Sequence, residues 1–430
     1  MTSGKPLSLV DEFVSRDLLQ DATEGASEHL AGGTRTVYVG FDPTAPSLHL
    51  GHLVPIMGLV HAQRAGHSPI ALVGGGTGLI GDPSGKTSER QLLTKDVAAA
   101  NAAAIHGQLE QFLDFGAKAN PARMRDNRDW LSGLALVDFL RDIGKHFSIN
   151  QLMAKESVKR RLQDERSGLS YTEFSYALLQ SYDFLELYQR EGCTVQLGGS
   201  DQWGNITAGI DLVRRVVGGR AFGMVLPLVT NASGAKFGKS EAGNVWLDPE
   251  LTSPFRFYQY WLNVDDADAV RYLKFFTLLD ARRVEELAAA VVADPAARAA
   301  QLALAEDVTR RLHGESGLDA ARRATRALFD GDLEGLGGAD IADIFADVPS
   351  SEVEAEALAG EGLPLIDLLV RSALASSRGD ARRSIEGGGV YVNNVRVADT
   401  AAAVKMEQTI DGRFVLLRKG KKSYHLVAVR

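Results

Sequence analysis

The sequence predicts an α/β fold class: a parallel β-sheet domain with a helical insertion, then an all-helical domain and a small domain of mixed α and β structure. TVYVGF (36–41) and PIALVG (69–74) are short apolar runs with glycine at or next to their last position, and they flank a helical stretch, which is the pattern of a parallel β–α–β unit. Strand patterns vanish between about 250 and 328, where alanine-rich helices dominate, and they return in the last seventy residues.

The first predicted domain covers residues 1–230. Its pattern is mostly helical from about 88 to 190, and further strands are predicted at CTVQLGG (193–199) and MVLPLVT (224–230). Composition sets the other boundaries: a turn-rich connection at 231–249, helices at 250–328, an acidic linker at 329–361 and the last domain at 362–430. The linker is predicted because residues 330–361 hold ten acidic residues and several glycines but no Lys or Arg.

Composition excludes several classes of protein. The chain has 430 residues, of which 45% are hydrophobic and 24% are charged, as in globular proteins of several domains. Its apolar runs are shorter than the roughly 18 residues that span a membrane, and its first residues lack the pattern of a secretion signal. A cytoplasmic location without a membrane partner is therefore predicted. A single cysteine, Cys193, excludes internal disulfides and thiolate metal clusters.

Charge is distributed unevenly along the chain. The net charge is −8, yet residues 371–430 hold 12 Lys or Arg against 5 Asp or Glu. A basic module attached to an acidic body favours binding of nucleic acid, and a tail that only aids solubility is the alternative.

Two glycine-rich motifs resemble known nucleotide-binding loops but do not fit them. GTGLIG (76–81) matches the G-x-G-x-x-G fingerprint of dehydrogenases, but Pro83 interrupts the helix that this fingerprint must open. GDPSGKT (81–87) has Ile80 where a phosphate-binding loop requires glycine. What remains is that glycines let a ligand approach the backbone, while Lys86 and Arg90 offer cations to phosphate.

The stretch YVGFDPTAPSLHLGH (38–52) contains two histidines three residues apart. A metal site needs at least three ligands, and the sole adjacent carboxylate is Asp42, so no protein-bound metal is predicted. Pro46 and Ser47 predict the start of a helix that Ser47 caps, with His49 and His52 in its first turn beside N–H groups that attract anions. Two solvated histidines are the alternative interpretation.

KFGKS (236–240) lies in a turn-rich segment after the strand MVLPLVT, where its lysines could move onto a polyphosphate. HLGH and KFGKS, in this order, resemble the two signatures of class I aminoacyl-tRNA synthetases. Together with GLIGDPSGK, YTEFSYALLQSYDF and QLGGSDQWGNI, they resemble the bacterial tyrosyl-tRNA synthetases over nearly the whole chain.

This resemblance implies a fold and an activity. The fold is a Rossmann-like nucleotide-binding catalytic domain, an all-helical domain and a small S4-like RNA-binding domain. The activity is that of a tyrosine–tRNA ligase, which activates L-tyrosine with ATP and Mg²⁺ and then transfers the tyrosyl group to tRNA(Tyr). The resemblance also implies a homodimer, with magnesium bound to ATP and no tightly bound protein metal.

The resemblance also assigns site residues. Those for the ATP phosphates and catalysis are Thr44, His49, His52, Lys86, Arg90, Lys236 and Lys239. Those for tyrosine are Tyr38, Asp82, Tyr176, Gln180, Asp183 and Gln202. Further ATP contacts are Gly40, Asp42, Gly51, Gly199 and Asp201. Those for RNA are Arg378, Arg382, Arg383, Lys419, Lys421 and Lys422.

The residues of one helix support part of this assignment independently. Tyr176, Gln180 and Asp183 follow an i, i+4, i+7 spacing, and apolar residues occupy most of the remaining helix surface. Such a helix is buried, so its Gln and Asp need hydrogen-bond partners, either within the protein or on a ligand.

Two alternative functions stay open. A tryptophanyl-tRNA synthetase would share the architecture, although Tyr38, Asp183 and KFGKS argue against it. A non-catalytic RNA-binding relative would be expected to lose either the histidines or the lysines, and this chain keeps both.

Overall fold

The computed structural model describes residues 8–84, 92–163, 169–232, 234, 237–240, 243–329, 331, 333, 335–346, 348–420 and 423–430. The chain divides into two compact units. The first comprises residues 1–252 and 260–312, and the second comprises residues 253–259 and 313–430.

A six-stranded sheet forms the centre of the first unit. Its strands are β1 (Asp21–Ala22), β2 (Thr36–Phe41), β3 (Ser68–Val73), β4 (Arg123–Asp126), β5 (Cys193–Gly199) and β6 (Phe222–Leu226). Their order in the sheet is β1-β6-β5-β2-β3-β4. All neighbours from β6 to β4 run parallel, and β1 pairs antiparallel with β6 at one edge. A small hairpin of β7 (Lys239–Ser240) and β8 (Gly243–Asn244) lies outside this sheet.

Helices connect and cover these strands. They are α1 (Leu9–Ser15), α2 (Ala26–Ala31), α3 (Leu53–Arg64), α4 (Lys95–Leu109), α5 (Arg128–Leu131), α6 (Leu136–Asp142), α7 (Ile149–Met153), α8 (Glu156–Gln163), α9 (Tyr171–Glu191), α10 (Trp203–Val217), α11 (Pro254–Leu262), α12 (Asp266–Phe276), α13 (Ala281–Ala293) and α14 (Ala299–Phe329). Helix α3 packs on β2, β3 and β5, while α9 and α10 pack on β5. Helices α11 and α14 each contribute residues to both units, and α14 breaks at Gly314.

The sheet confirms three predicted strands and corrects two other predictions. Strands β2 and β5 have the predicted bounds, and β3 differs by one residue. The predicted strand at 224–230 is wrong beyond Leu226, because Pro227 follows and has no N–H to donate to a neighbouring strand. Strand β4 lies inside the stretch predicted to be helical.

The sequence of β4, RMRD, explains why it gave no strand signal. Strand β4 has no apolar run, because two of its four residues are arginines. These arginines form ion pairs at the edge of the sheet. Arg123 and Arg125 lie 2.6 and 2.5 Å from the carboxylate of Glu191.

The second unit contains a five-stranded sheet and a pair of short strands. Its strands are β9 (Ser350–Val353), β10 (Leu363–Pro364), β11 (Val390–Val392), β12 (Val395–Val397), β13 (Ala403–Val404), β14 (Phe414–Lys419) and β15 (Ser423–Val429). Its further helices are α15 (Gly338–Ile344), α16 (Leu365–Arg371) and α17 (Arg378–Glu386). The sheet order is β12-β11-β14-β15-β9, and β10 pairs with β13. One core cluster joins the sheet to α16 and α17, and another joins it to α14 and α15.

The domain boundaries predicted from the sequence need correction in two places. Residues 260–312 belong to the first unit, so the predicted helical domain at 250–328 is not a separate body. The predicted linker at 329–361 is also wrong for most of its length, because it contains α15 and β9, and β9 pairs parallel with β15. Ile341, Phe345 and Val353 are buried, and this apolar burial holds the acidic segment in the second unit.

Among the residues described, no single helix is long and apolar enough to cross a membrane. One bent pair of helices, Ala281–Ala293 with Pro295–Leu328, is long and apolar enough when the two are taken together.

Candidate active site

Polar side chains gather at the carboxyl ends of the parallel strands in the first unit. Asp42 directly follows β2, residues 74–77 follow β3, Asn127 follows β4, and Ser200–Gln202 follows β5. Ligands of open parallel sheets bind at this edge, because the strands end there and the loops that follow them can vary. The sheet therefore places residues of four different segments on one edge, and Asp42, Asp201 and Gln202 among them are predicted site residues.

The buried carboxylate of Asp183 lies below this edge on α9. Its side chain is 2% exposed and accepts hydrogen bonds from Asn127 Nδ2 at 2.9 Å and Trp130 Nε1 at 2.7 Å. Burial raises the pKa of Asp183 to about 8, although these two hydrogen bonds act to lower it.

Tyr38 lies beside Asp183 in the same core. Its ring packs edge-on against Phe184 with centroids 5.2 Å apart, and its hydroxyl is buried without a hydrogen-bond partner among the described residues. Burial first, and then the charge of Asp183, raises the pKa of Tyr38 well above its ordinary value, so the hydroxyl keeps its proton. A hydroxyl that has no hydrogen-bond partner and lies next to a carboxylate suits a ligand that both accepts and donates a hydrogen bond.

Asp42 connects the end of β2 to α9. It accepts hydrogen bonds from the hydroxyl of Tyr176 and from Thr77 Oγ1, each at 2.7 Å. Asn127 Nδ2 in turn donates to Thr77 Oγ1 at 2.8 Å, so Asp42 and Asp183 belong to one hydrogen-bonded network. Asp42, predicted from the resemblance to bind ATP, is thus part of the network around Asp183.

A second polar network joins Asp82, Gln180 and Gln202. Gln202 Nε2 donates to Asp82 Oδ2 at 2.7 Å, and Gln180 Nε2 donates to Gln202 Oε1 at 3.2 Å. Asn205 Nδ2 donates to Gln180 Oε1 at 3.0 Å. Lys155 Nζ lies 3.4 Å from Asn205 Oδ1, and burial lowers the pKa of Lys155 to about 8.

The two histidines lie at a helix start, but the predicted cap is wrong. A 3₁₀ turn, Leu50–His52, leads into α3, and His49 rather than Ser47 occupies the N-cap position. The hydroxyl of Ser47 is engaged elsewhere: it donates to the carbonyl of Leu48 at 2.7 Å and accepts from Gln108 Nε2 at 3.0 Å.

Each histidine uses its Nδ1 atom within this turn. Gly51 N–H donates to His49 Nδ1 at 3.0 Å, and His49 N–H donates to His52 Nδ1 at 3.1 Å. A neutral ring that accepts at Nδ1 carries its proton on Nε2, so both rings present Nε2 as a donor. Gly51 is required here, because a Cβ at this position would lie 2.8 Å from His49 Cε1.

The backbone of residues 237–240, the described part of the KFGKS motif, lies against residues 49–52, which we call the histidine turn. His49 forms an antiparallel bridge with Trp246, and Val245 N–H donates to the carbonyl of Gly238 at 2.9 Å. A Cβ on Gly238 would lie 2.9 Å from Leu50 Cβ, and its φ of +80° also favours glycine. Motifs nearly 190 residues apart in sequence are therefore neighbours.

An aromatic cluster fixes the middle of this motif. Phe237 is buried and stacks on Phe276 of α12 with centroids 5.0 Å apart. Tyr272 lies 5.1 Å away, and the hydroxyl of Tyr260 accepts the N–H of Gly238 at 3.0 Å. We refer to Tyr260, Tyr272 and Phe276, which surround Phe237, as the aromatic cage.

The other predicted site residues have the following positions. Gly40 is the exposed residue of β2, Thr44 N–H donates to the carbonyl of Asp42, and Gly199 and Asp201 lie where β5 ends. Arg378, Arg382 and Arg383 lie on α17 and Lys419 on β14, all in the second unit. Lys86, Arg90, Lys236, Lys421 and Lys422 and the side chain of Lys239 lie outside the described residues.

Several residues of the two networks were not predicted from the sequence. They are Thr77, Asn127, Trp130, Lys155 and Asn205. Asn127 and Trp130 follow the unrecognised strand β4, so no strand end pointed to them. The described residues include no group of three or more His, Cys, Asp or Glu that could hold a metal ion.

Comparison with known proteins identifies the family. Residues 31–330 match the model of the class I tRNA synthetases (W and Y), and residues 340–427 match that of the tyrosine–tRNA ligase C-terminal domain. Tyrosine–tRNA ligases from Roseiflexus castenholzii and Geobacillus stearothermophilus are 54% and 50% identical, over 98% of this chain and 99% of theirs. The chain belongs to the tyrosine–tRNA ligase family of class I tRNA synthetases. The family predicted from the sequence is confirmed.

A solved structure of this family has the same fold. The C-terminally truncated mitochondrial tyrosyl-tRNA synthetase of Aspergillus nidulans superimposes with a TM-score of 0.69 at 30% sequence identity. The match covers 76% of this chain and 95% of that one, which confirms the predicted fold class.

The buried carboxyl of Asp183 predicts a pH dependence of stability. Its folded pKa of about 8 lies above the roughly 4 of an exposed aspartate, so its contribution is complete below about pH 4 and is lost as the pH rises through about 8. In urea unfolding, the wild-type free energy of unfolding should fall over this range relative to that of Asp183→Asn. Asp138→Asn, at an exposed carboxyl, is the control. Parallel curves for wild type and Asp183→Asn would contradict the prediction.

Replacing Tyr260 by Phe should release the backbone of Gly238. The ring stays, but a part-buried N–H loses its acceptor, at a cost of about 1–3 kcal/mol in the free energy of unfolding. Amide hydrogen exchange at Gly238 should accelerate. Tyr272→Phe is the matched control, because the hydroxyl of Tyr272 donates to the carbonyl of Thr230. Equal acceleration in the two variants would show that the hydrogen bond is not responsible.

Proposed function

We propose that this chain is a tyrosine–tRNA ligase, which forms tyrosyl-adenylate and pyrophosphate from L-tyrosine and ATP and then transfers the tyrosyl group to tRNA(Tyr). The observation that carries the proposal is that the buried Asp183 carboxylate lies beside the hydroxyl of Tyr38, which has no hydrogen-bond partner among the described residues, in a chain of this family.

In this proposal the phenol of tyrosine binds between Tyr38 and Asp183. Its hydroxyl donates to Asp183 and accepts from Tyr38, and this third donor favours the ionised carboxylate. Phenylalanine would leave the hydroxyl of Tyr38 without a partner and would give Asp183 no third donor, and an unpaired buried group costs about 1–3 kcal/mol. The pocket would therefore select tyrosine by hydrogen bonding.

The network of Asp82, Gln180 and Gln202 would hold the amino group of tyrosine, together with Tyr176. An ammonium group offers three donors, and this network contains carboxylate and amide oxygens within one cluster of hydrogen bonds. Holding both ends of tyrosine would fix the direction of its carboxylate. Orientation of this kind supplies much of the rate of a reaction between two bound substrates.

The chemical step needs no protein nucleophile. The tyrosine carboxylate attacks the α-phosphorus of ATP, the bond to the bridging oxygen breaks, and pyrophosphate leaves. A hydroxyl of the terminal ribose of tRNA then attacks the acyl carbon, and AMP leaves. The protein contributes positioning and stabilisation of the charge that builds on phosphate oxygens.

The histidine turn and the KFGKS motif would bind the ATP phosphates. The Nε2 donors of His49 and His52 lie at a helix start, where backbone N–H groups also favour anions. The aromatic cage holds Phe237, between Lys236 and Lys239 in sequence, beside this turn. Thr44, Lys86, Arg90 and Gly51 complete this set in the proposal, with Gly40, Gly199 and Asp201 near the nucleoside. Mg²⁺ would arrive bound to ATP as part of the substrate.

The second unit would bind tRNA. Residues 371–430 carry 12 Lys or Arg against 5 Asp or Glu, and the predicted cations of α17 and β14 lie in this unit. Phosphate contacts from such residues give an affinity that falls as salt rises. The predicted cytoplasmic location stays a prediction.

A homodimer is part of the proposal. Helices α6 to α9 carry a group of exposed apolar side chains, and a soluble monomer rarely exposes so many together. They are Leu136, Val137, Leu140, Ile149, Met153, Leu162 and Tyr171.

Exchange of labelled pyrophosphate into ATP tests the proposed activation step. Exchange should depend on tyrosine and should be absent with phenylalanine or tryptophan. Exchange with tryptophan alone would indicate a tryptophanyl-tRNA synthetase. Binding of tRNA without exchange for any of the three amino acids would indicate a non-catalytic RNA-binding relative.

Two substitutions in the tyrosine pocket should differ in effect. Tyr38→Phe removes one neutral hydrogen bond and should weaken tyrosine binding roughly 3- to 10-fold. Asp183→Ala removes the carboxylate and leaves two N–H donors unpaired, so tyrosine activation should fall roughly 100-fold or more. Urea unfolding is the control measurement. Loss of activity in proportion to loss of folded protein would assign Asp183 a structural role alone.

Charging the exposed apolar helices should break the proposed dimer. Val137 is 74% exposed, so Val137→Asp should leave the fold intact while placing a charge in the interface. Sedimentation should then show a monomer. Val292→Asp, at a side chain 84% exposed on α13, should stay dimeric. A wild-type monomer at micromolar concentration would contradict the dimer.

A further inference from the structure

A row of alternating cationic and aromatic side chains crosses one face of the sheet in the second unit. Tyr391 on β11 pairs with Arg396 on β12 and with Arg418 on β14, and Arg418 pairs with Tyr424 on β15. Residues that are paired directly across strands project from the same face of a sheet. We call Arg396, Tyr391, Arg418 and Tyr424 the stacking row.

The central arginine of the stacking row lies between two aromatic rings. The guanidinium carbon of Arg418 is 3.7 Å from the ring centroid of Tyr391 and 5.9 Å from that of Tyr424. Tyr391 and Tyr424 are partly exposed, and Arg396 is exposed. The row is therefore accessible to a ligand along part of its length.

The charges of the stacking row are not neutralised within the described part of the chain. No described carboxylate lies within ion-pair distance of Arg396 or Arg418. By contrast, Arg378 and Lys419, two of the cations predicted to bind RNA, each lie 3.1 Å from an aspartate oxygen. The row thus holds uncompensated positive charge beside aromatic rings, which favours an anionic ligand with flat groups.

The stacking row lies beside the apolar core of its own face. Its end residue, Tyr424, packs against the cluster formed by α14, α15 and the sheet, with its ring 5.5 Å from that of Phe345. The opposite face of the sheet is covered by α16 and α17. The cations of α17 and the stacking row therefore belong to opposite sides of one sheet.

We propose that the stacking row binds unpaired nucleotides of tRNA, with a base stacked against Tyr391 and phosphate held by Arg396 and Arg418. The inference rests on the proposed function, because tRNA is its ligand. Tyrosine rings stack on bases of any sequence, and guanidinium groups both stack on bases and bind phosphate in pairs of hydrogen bonds. The bases must be unpaired, because a duplex buries their faces.

This site differs in chemistry from the cations predicted on α17. Among the described residues, no aromatic ring makes a cation–π contact with Arg378, Arg382 or Arg383, so these arginines suit phosphates of either paired or unpaired RNA. The stacking row adds recognition of a base face. Salt dependence separates the two contributions, since phosphate contacts release counterions and stacking releases none.

The test measures binding of a tRNA(Tyr) transcript to the full chain at several salt concentrations. Tyr391→Leu removes the ring and should weaken binding roughly 5-fold or more without changing the slope of log K against log salt. Tyr391→Phe keeps the ring and should bind as the wild type does. Arg396→Gln, at an exposed side chain, should reduce the slope by about one.

Three results would overturn the inference. They are unchanged binding by Tyr391→Leu, binding by Tyr391→Phe as weak as that of Tyr391→Leu, and competition by polyglutamate as effective as that by unlabelled tRNA. If Tyr391→Leu unfolds the second unit in thermal denaturation, Arg396→Gln decides, and an unchanged slope then overturns the inference.

Pyrophosphate exchange distinguishes this inference from the proposed function. All variants of the stacking row should exchange at the wild-type rate, because the row lies in the second unit and the tyrosine pocket in the first. Failure of the wild type to exchange or to charge tRNA would defeat the proposed function. A wild type that charges tRNA, with a Tyr391→Leu variant that binds it equally well, would defeat the stacking row alone.

Discussion

A carboxylate removed from water loses hydration worth several kcal/mol unless protein donors replace the water, and Asp183 is under this constraint. Asn127 and Trp130 supply the donors, and both follow β4. The amide oxygen of Asn127 also accepts the N–H of Gly76 at 2.8 Å, so the same side chain joins the ends of β3 and β4 to α9. The pairing of β4 in the sheet is therefore what places the donors that offset the cost of burying this carboxyl at the base of the site.

Asp42 belongs to the same hydrogen-bonded network. It is linked to Asp183, because Asn127 Nδ2 donates to Asp183 and to Thr77 Oγ1, and Thr77 Oγ1 in turn donates to Asp42. A network of this kind is rigid when every member is satisfied. The hydroxyl of Tyr38 is buried without a partner among the described residues, and this is a group that the proposed function gives to the substrate.

The histidine turn and the KFGKS motif depend on backbone pairing rather than on charge. The bridge between His49 and Trp246 and the close approach of Gly238 to Leu50 bring the two motifs together. The aromatic cage buries Phe237.

In the second unit, the sheet separates two kinds of basic residue, with α17 on one face and the stacking row on the other.

The sequence by itself determined the family, the strands β2, β3 and β5, and the helix that carries Tyr176, Gln180 and Asp183. These features depend on spacing and on apolar runs, which are properties of neighbours along the chain.

Only the tertiary structure decided which partners those residues have. Strand β4 carries charges where a strand pattern expects apolar residues, so Asn127 and Trp130 could not be placed. The cap at Ser47 was wrong because Gln108, sixty-one residues away, takes its hydroxyl. The acidic segment was not a linker because β9 pairs with β15. In each case the deciding contact joins residues far apart in sequence, and sheet register rather than local pattern determines whether they meet.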